Sequence, residues 1–358
     1  MRFKMRRSYN DDLLLFKWKS TFYFYCLLFA FLLVLPLISS SYMLYMLNLI
    51  LINVIVAVGL QILSGYTGLL SLGHAAFFAI GAYCSGYLTT NHGLSFWIAI
   101  VASGAVTGFM GVLVAIPALR MKGIYLAIAT MAYAFIIEQV ILQWESVTNG
   151  VRGMFLSRPT LGPISFKSDQ YYYYLVLAVA MLLIFLVRNL LSAPTGRALV
   201  AIRNSEIAAQ SMGIPLARYK MVSFGLSAFY TGVAGCLFAH FMQFIGPENF
   251  TLMESIGFIV MILIGGLGTI QGAAVGAVSI TLLPEVIRYG KDLFPFIKEE
   301  SGIQMIAYSL ILILFVIYEP HGLYGRWLKW KYYYEMFPYY KKETFKRERK
   351  FYKTERWK

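Results

Sequence analysis

The sequence predicts an all-α fold: a polytopic transmembrane helical bundle of about ten apolar segments, with a broken third span and two short segments able to form a re-entrant pair. Three observations carry this. Hydrophobic residues make up 59% of the 358 positions and charged ones 13%, with a mean hydropathy of +0.66, well beyond the roughly half-apolar make-up of a soluble domain. The apolar residues gather in runs close to the roughly 20 residues a helix needs to cross hydrocarbon. The basic residues behind the net charge of +14 fall in the gaps between those runs.

Taken in order, apolar runs cover Phe22 to Ser40, Leu44 to Leu63, Leu70 to Thr89, Ser95 to Ala118 and Ile124 to Gln143. A polar, Gly-rich stretch from Trp144 to Gln170 follows. Further runs cover Tyr171 to Leu190, Met221 to Gln243, Ser255 to Leu267, Ala273 to Ile287 and Ile303 to Tyr318. The first run follows basic residues, as a signal peptide would, but it is long for one and lacks a small-x-small cleavage site, so it reads as a retained span.

With the amino terminus inside, the segments 1–20, 119–123, 188–220 and 319–358 are cytoplasmic and hold 25 of the 31 Lys and Arg. Only Arg152, Arg158, Lys167, Arg288, Lys291 and Lys298 face outward. The positive-inside rule then puts both termini in the cytoplasm, whether residues 255–267 and 273–287 each span or re-enter together. The chain divides into a basic amino-terminal segment 1–21, a membrane domain 22–320 with a cytoplasmic loop 192–220, and a basic, aromatic tail 321–358. Beside so many apolar segments that tail reads as a binder of anionic lipid headgroups, with no nucleic acid as partner.

Several chemistries find no residues to carry them. No GxxxxGK[ST] occurs, and Gly290-Lys291 is followed by Asp292, so the chain has no phosphate-cradling loop. GxSxG and HExxH are absent too, which argues against an intramembrane hydrolase. Cys26, Cys84 and Cys236 lie singly in apolar runs and read as packing residues, with no metal site expected. Glu138, near the outer end of its run, reads as interfacial rather than as a proton relay.

Two regions stand out. Gly65, Gly68 and Gly73 interrupt a span that would otherwise be helical, and irregular backbone at membrane depth is tolerated only inside protein or along a cavity. Its freed amides suit a solute carboxylate, with Ser71, His74 and Thr130 as side-chain donors or acceptors. Ordinary close packing by small residues, and a purely structural His74, are the alternatives. The second region is the cytoplasmic segment from Gly196 to Gly213, flanked by Pro194 and Pro215, where a short helix outside the membrane is expected. It reads either as a solvated connector or as a docking element for a peripheral partner.

Within that segment Glu206, Ala208, Ala209 and Gly213 form Glu-x-Ala-Ala-x3-Gly, which resembles the coupling helix through which ABC importer permeases engage their ATPases. Gly65 to Tyr83, Arg120 to Thr130, Glu254-Ser255, Leu263 to Thr269 and Gln271-Gly272 together resemble LivM-type branched-chain amino acid permeases, from about Asn48 to Gly322. The tail and Thr148 to Gly153 depart from that pattern. The resemblance implies a permease subunit of a bacterial inner-membrane ABC importer for branched-chain or similar amino acids, and no enzyme. Its implied partners are a LivH-like second permease, two ABC ATPase subunits that bind ATP and Mg, and a periplasmic substrate-binding protein. Gly196, Arg197, Arg203, Glu206, Ala208, Ala209 and Gly213 would form the ATPase-coupling set. Gly65, Gly68, Ser71, Gly73, His74, Thr130, Gly265 and Gly266 would line the translocation path. A urea or short-amide permease of the same branch is one alternative reading. An ion-coupled secondary transporter is another, although it needs buried carboxylates that these spans almost lack.

Overall fold

The computed structural model describes residues 19–121, 123–161, 164–166, 168–293, 301–319 and 322–336. The amino-terminal segment through Trp18, Lys122, Lys167, Lys298, His321 and the tail beyond Met336 lie outside the described residues. Thirteen of the helices among the described residues organise the fold. They are α1 Lys19–Ile38, α2 Ser41–Leu60, α3 His74–Thr90, α4 Phe96–Ala118, α5 Ile124–Gln143, α6 Asp169–Ser192, α7 Pro194–Asn204, α8 Glu206–Ser211, α9 Leu216–Met242, α10 Leu252–Gly265, α11 Ile270–Leu293, α12 Ser301–Tyr318 and α13 Gly322–Met336. Each apolar run of the sequence is helical over most of its length. Among the described residues, seven helical segments are long and apolar enough to cross a membrane, and a further apolar helix covers Tyr23–Ile38.

Small residues let the central helices approach closely, the means by which helices associate where lipid removes the hydrophobic drive between them. Helix α9 packs against α4, α3 and α2. A Cβ on Gly235 would run into the Phe78 carbonyl, one on Gly81 into Gly232, and one on Gly111 would lie 2.8 Å from the Phe224 carbonyl. Helices α10 and α11 pair in the same way, with Gly276 against the Met261 carbonyl and Gly265 against Gly272. The two segments that looked short in sequence therefore continue as helices beyond their apolar cores, to Leu252 on one side and Leu293 on the other.

Helix α1 sits at the periphery, touching α6. Cys26 is consequently exposed, against the expectation of a packing residue, whereas Cys236 is buried. At one end of the bundle, β1 (Met154–Phe155) pairs antiparallel with β2 (Phe244–Ile245), and Arg158 forms an ion pair of 2.6 Å with Asp169. The other end gathers α7, α8, the α10–α11 connection and the start of α13, where Gly322 lies against Gly266.

At that second end α2 widens into a π-helical turn, Gln61–Tyr66, a form that appears mostly as single turns at functional sites. The chain is irregular from Thr67 to Gly73 and resumes as α3 at His74. The third apolar run is thus broken at its start, and its first four residues are not helical.

Candidate functional site

The irregular stretch 67–73 is sewn into the bundle by its own polar groups. The Thr67 hydroxyl donates to the Ile62 carbonyl (2.9 Å) and the Ser64 hydroxyl to the Leu69 carbonyl (2.9 Å). The Leu72 amide donates to Thr130 Oγ1 (2.9 Å), and the Gly73 amide to Ser71 Oγ (3.4 Å). Thr130 in turn donates to carbonyls one turn back on α5. Gly73 is needed there for space: a Cβ would stand 2.8 Å from the Thr130 carbonyl.

Helix α3 begins inside the protein. The Ala75 amide donates to Ser255 Oγ at 2.8 Å, and His74 Nε2 lies 2.8 Å from Ser227 Oγ. Ser71, His74, Ser227 and Ser255 are fully buried. Three amides at this break, of Leu72, Gly73 and Ala75, are thus taken up by side chains of the same chain, because buried backbone donors must find acceptors. Ser255→Ala leaves the Ala75 amide without its acceptor, and a loss of about 1–3 kcal/mol is expected, read as a lowered thermal midpoint of the purified chain in detergent.

Beside this stretch, Gln61 is buried at the π-helical turn and its Nε2 donates to the carbonyls of Gly266 and Thr269, both at 2.8 Å. Gly65 packs against Gln61 and Gly268. Gly65, Gly68, Gly265 and Gly266 therefore meet at one end of the bundle, whereas Ser71, Gly73, His74 and Thr130 lie further along, where α3 meets α5, α9 and α10. Further along α3, Ala76 and Ala79 border a small hollow with Ala134, Glu138, Pro247 and Phe250.

The segment 194–211 forms two helices rather than one. Ser205 separates α7 from α8 and caps α8, its hydroxyl accepting from the Ala208 amide at 3.2 Å. Gly213, at φ +81°, ends α8 in a left-handed exit, with the Ile214 amide returning to the Ala209 carbonyl. Ile207 (77% exposed) and Met212 (84%) project outward, together with Arg197 and Ala208, whereas Gly196 and Ala209 are buried against the chain's own helices. Glu206 turns to α9 and forms an ion pair with Lys220 at 2.7 Å. Arg203 is exposed as a residue but turns its guanidinium back onto the bundle, its Nη1 donating to the Gly65 carbonyl at 2.6 Å.

Four participants escaped sequence reasoning: Gln61, Lys220, Ser227 and Ser255. Gln61 carried a signal, as an amide near the end of a long apolar run. Lys220 carried another, as a cation at the threshold of one. Ser255 stood within the Glu254-Ser255 pair of the family resemblance without a role assigned to it, and Ser227 carried no signal, since hydroxyls are common in packed spans.

Comparison with known proteins gives these features a context. Residues 42–318 match the family model for the permease component of branched-chain amino acid transport systems. The chain is 31% identical over 296 residues, 76% of its own length and 67% of the relative's, to the high-affinity branched-chain amino acid transport system permease protein LivM of Salmonella typhimurium. The Escherichia coli protein of that name gives 31% over 300 residues, 77% and 68% of the two chains. A probable branched-chain amino acid transport permease protein LivH of Methanocaldococcus jannaschii is 25% identical over 291 residues, 78% and 89%. No solved structure matches.

Proposed function

The chain belongs to the family of branched-chain amino acid transport system permease components, and from that membership we propose that it carries leucine, isoleucine, valine or similar amino acids inward across a bacterial inner membrane. It is a multi-pass membrane permease subunit and not an enzyme. The observation that carries the finer reading is the α7–α8 segment: it projects Ile207 and Met212 outward while Arg203 and Glu206 bind it to the bundle behind. Such a segment suits docking to a separate ABC ATPase, which would bind ATP and Mg.

In this reading the α7 end faces the cytoplasm, both termini lie there, and a LivH-like permease, two ATPase subunits and a periplasmic substrate-binding protein complete the importer. Closure of the ATPases pushes on α8, and the bundle rocks between outward-open and inward-open states that differ in affinity for the solute. The stretch 67–73 with His74 and Thr130, and the Gly265-Gly266 corner, border the solute path. Lipid headgroups contact the basic, aromatic segment after Tyr318.

The test is uptake of labelled leucine into proteoliposomes holding the chain with its native partners. Uptake is expected only with enclosed ATP and with the ATPase subunits present, and excess isoleucine, but not urea, should suppress it. Uptake by this chain alone under a Na⁺ or H⁺ gradient would replace the reading with a secondary transporter.

A further inference from the structure

Arg203, on the α7–α8 segment, hydrogen-bonds the π-helical turn that precedes the broken third span. Its Nη1 donates to the Gly65 carbonyl at 2.6 Å. That carbonyl belongs to the last turn of a helical run that begins at Ser41, where the macrodipole favours a cation. Two further backbone segments are shaped around the same side chain. A Cβ on Gly68 would lie 3.3 Å from Arg203 Cγ, and one on Gly268 would collide with Nη1. Gly68 and Gly268 both hold left-handed backbone, at φ +78° and +81°, so side chains are disfavoured there twice over.

Gly268 lies in the connection between α10 and α11, which Gln61 also grips through the Gly266 and Thr269 carbonyls. One arginine on α7 therefore lies against three segments, its guanidinium at the π-helical turn and the α10–α11 corner and its stem at the irregular stretch. Few side chains could replace it: the planar fork stays charged and presents donors in fixed directions, while an ammonium is a single point.

We propose that Arg203 is a positioning residue that makes these three segments move as one with the α7–α8 segment, so that a push on α8 reaches the solute path. The proposal rests on the functional reading above. It separates two jobs within one short segment: Ile207 and Met212 hold the partner outside, and Arg203 transmits inside.

The experiment uses the complete transporter in proteoliposomes, with labelled leucine and its binding protein, and reads uptake and ATP hydrolysis together. Arg203→Ala should co-purify with the ATPase subunits in the wild-type ratio and still hydrolyse ATP, while leucine carried per ATP falls about tenfold. Arg203→Lys, which keeps the charge and the stem, should lose less. Gly268→Ala should reproduce the uncoupling, and it should cost less in the Arg203→Ala background than alone, because the clash with Nη1 is then gone and only its own backbone strain remains. Unchanged leucine per ATP in Arg203→Ala overturns the proposal, as does loss of ATPase co-purification, which would make Arg203 a docking residue. A wild-type chain that recovers no ATPase would overturn the functional reading, and this proposal with it.

Discussion

Glu206→Ala is expected to lower the stability of the chain by about 2 kcal/mol and to abolish most ATP-dependent uptake, while Lys220→Met costs less than half of that stability. The asymmetry follows from where each charge sits. The Lys220 side chain is 4% exposed and that of Glu206 25%. Removing the glutamate strands an ammonium that water hardly reaches. Removing the lysine leaves a carboxylate that water can still solvate, and a methionine fills much of the vacated space. Breaking a fully buried pair costs about 3–5 kcal/mol and an exposed one about 0–1, so a pair at the edge of burial falls between. Thermal unfolding of the purified variants measures this. Equal losses in the two single variants would refute the asymmetry, and strict additivity in the double variant Glu206→Ala/Lys220→Met would show that the pair does not act as a unit.

Gly235→Val and Gly276→Val are expected to prevent accumulation of folded chain altogether. At both positions the new Cβ meets a backbone carbonyl, of Phe78 in one case and of Met261 in the other, and backbone cannot swing aside as a side-chain tip can. Overpacking of a tight core typically costs about 1–3 kcal/mol, and here two helices must separate along their contact. Gly257→Ala is the matched control: it lies within α10, yet nothing stands within 4 Å of the added methyl. It should be neutral in the isolated chain or gain up to about 1 kcal/mol from helix propensity. Fluorescence-detected size exclusion of tagged variants separates these outcomes. A monodisperse Gly235→Val peak at wild-type yield would refute the close approach of α3 and α9.

Much of this architecture was legible in the chain. The alternation of apolar runs and basic gaps fixes where helices begin and end to within a few residues, because both sides of each boundary are set by solvent. The glycines at 65, 68 and 73 marked the break in the third run, and Glu-x-Ala-Ala-x3-Gly marked the segment between α6 and α9. What periodicity could not supply was pairing across the bundle. That Glu206 meets Lys220 fourteen residues on, or that Ser255 accepts from Ala75, depends on how helices stack, and no local pattern encodes it. The same gap explains why Ala209 and Gly196 are buried beside an exposed Ala208. A motif names residue types, whereas the side of the helix each one occupies is settled by its neighbours.

The wide turn from Gln61 to Tyr66 has a consequence for how the sequence can change. A π-helical turn holds one residue more than the α-helix it interrupts, and each residue of an α-helix advances the chain by about 100° around the axis. Deleting any one residue there would restore regular winding and swing everything after it by nearly a third of a revolution, aiming the Gly65 carbonyl away from Arg203. The surplus residue therefore works as a phase setting for the end of α2 and the carbonyls it presents to Arg203. The count of residues in this turn is thus as constrained as the identities of Gln61 and Gly65 within it.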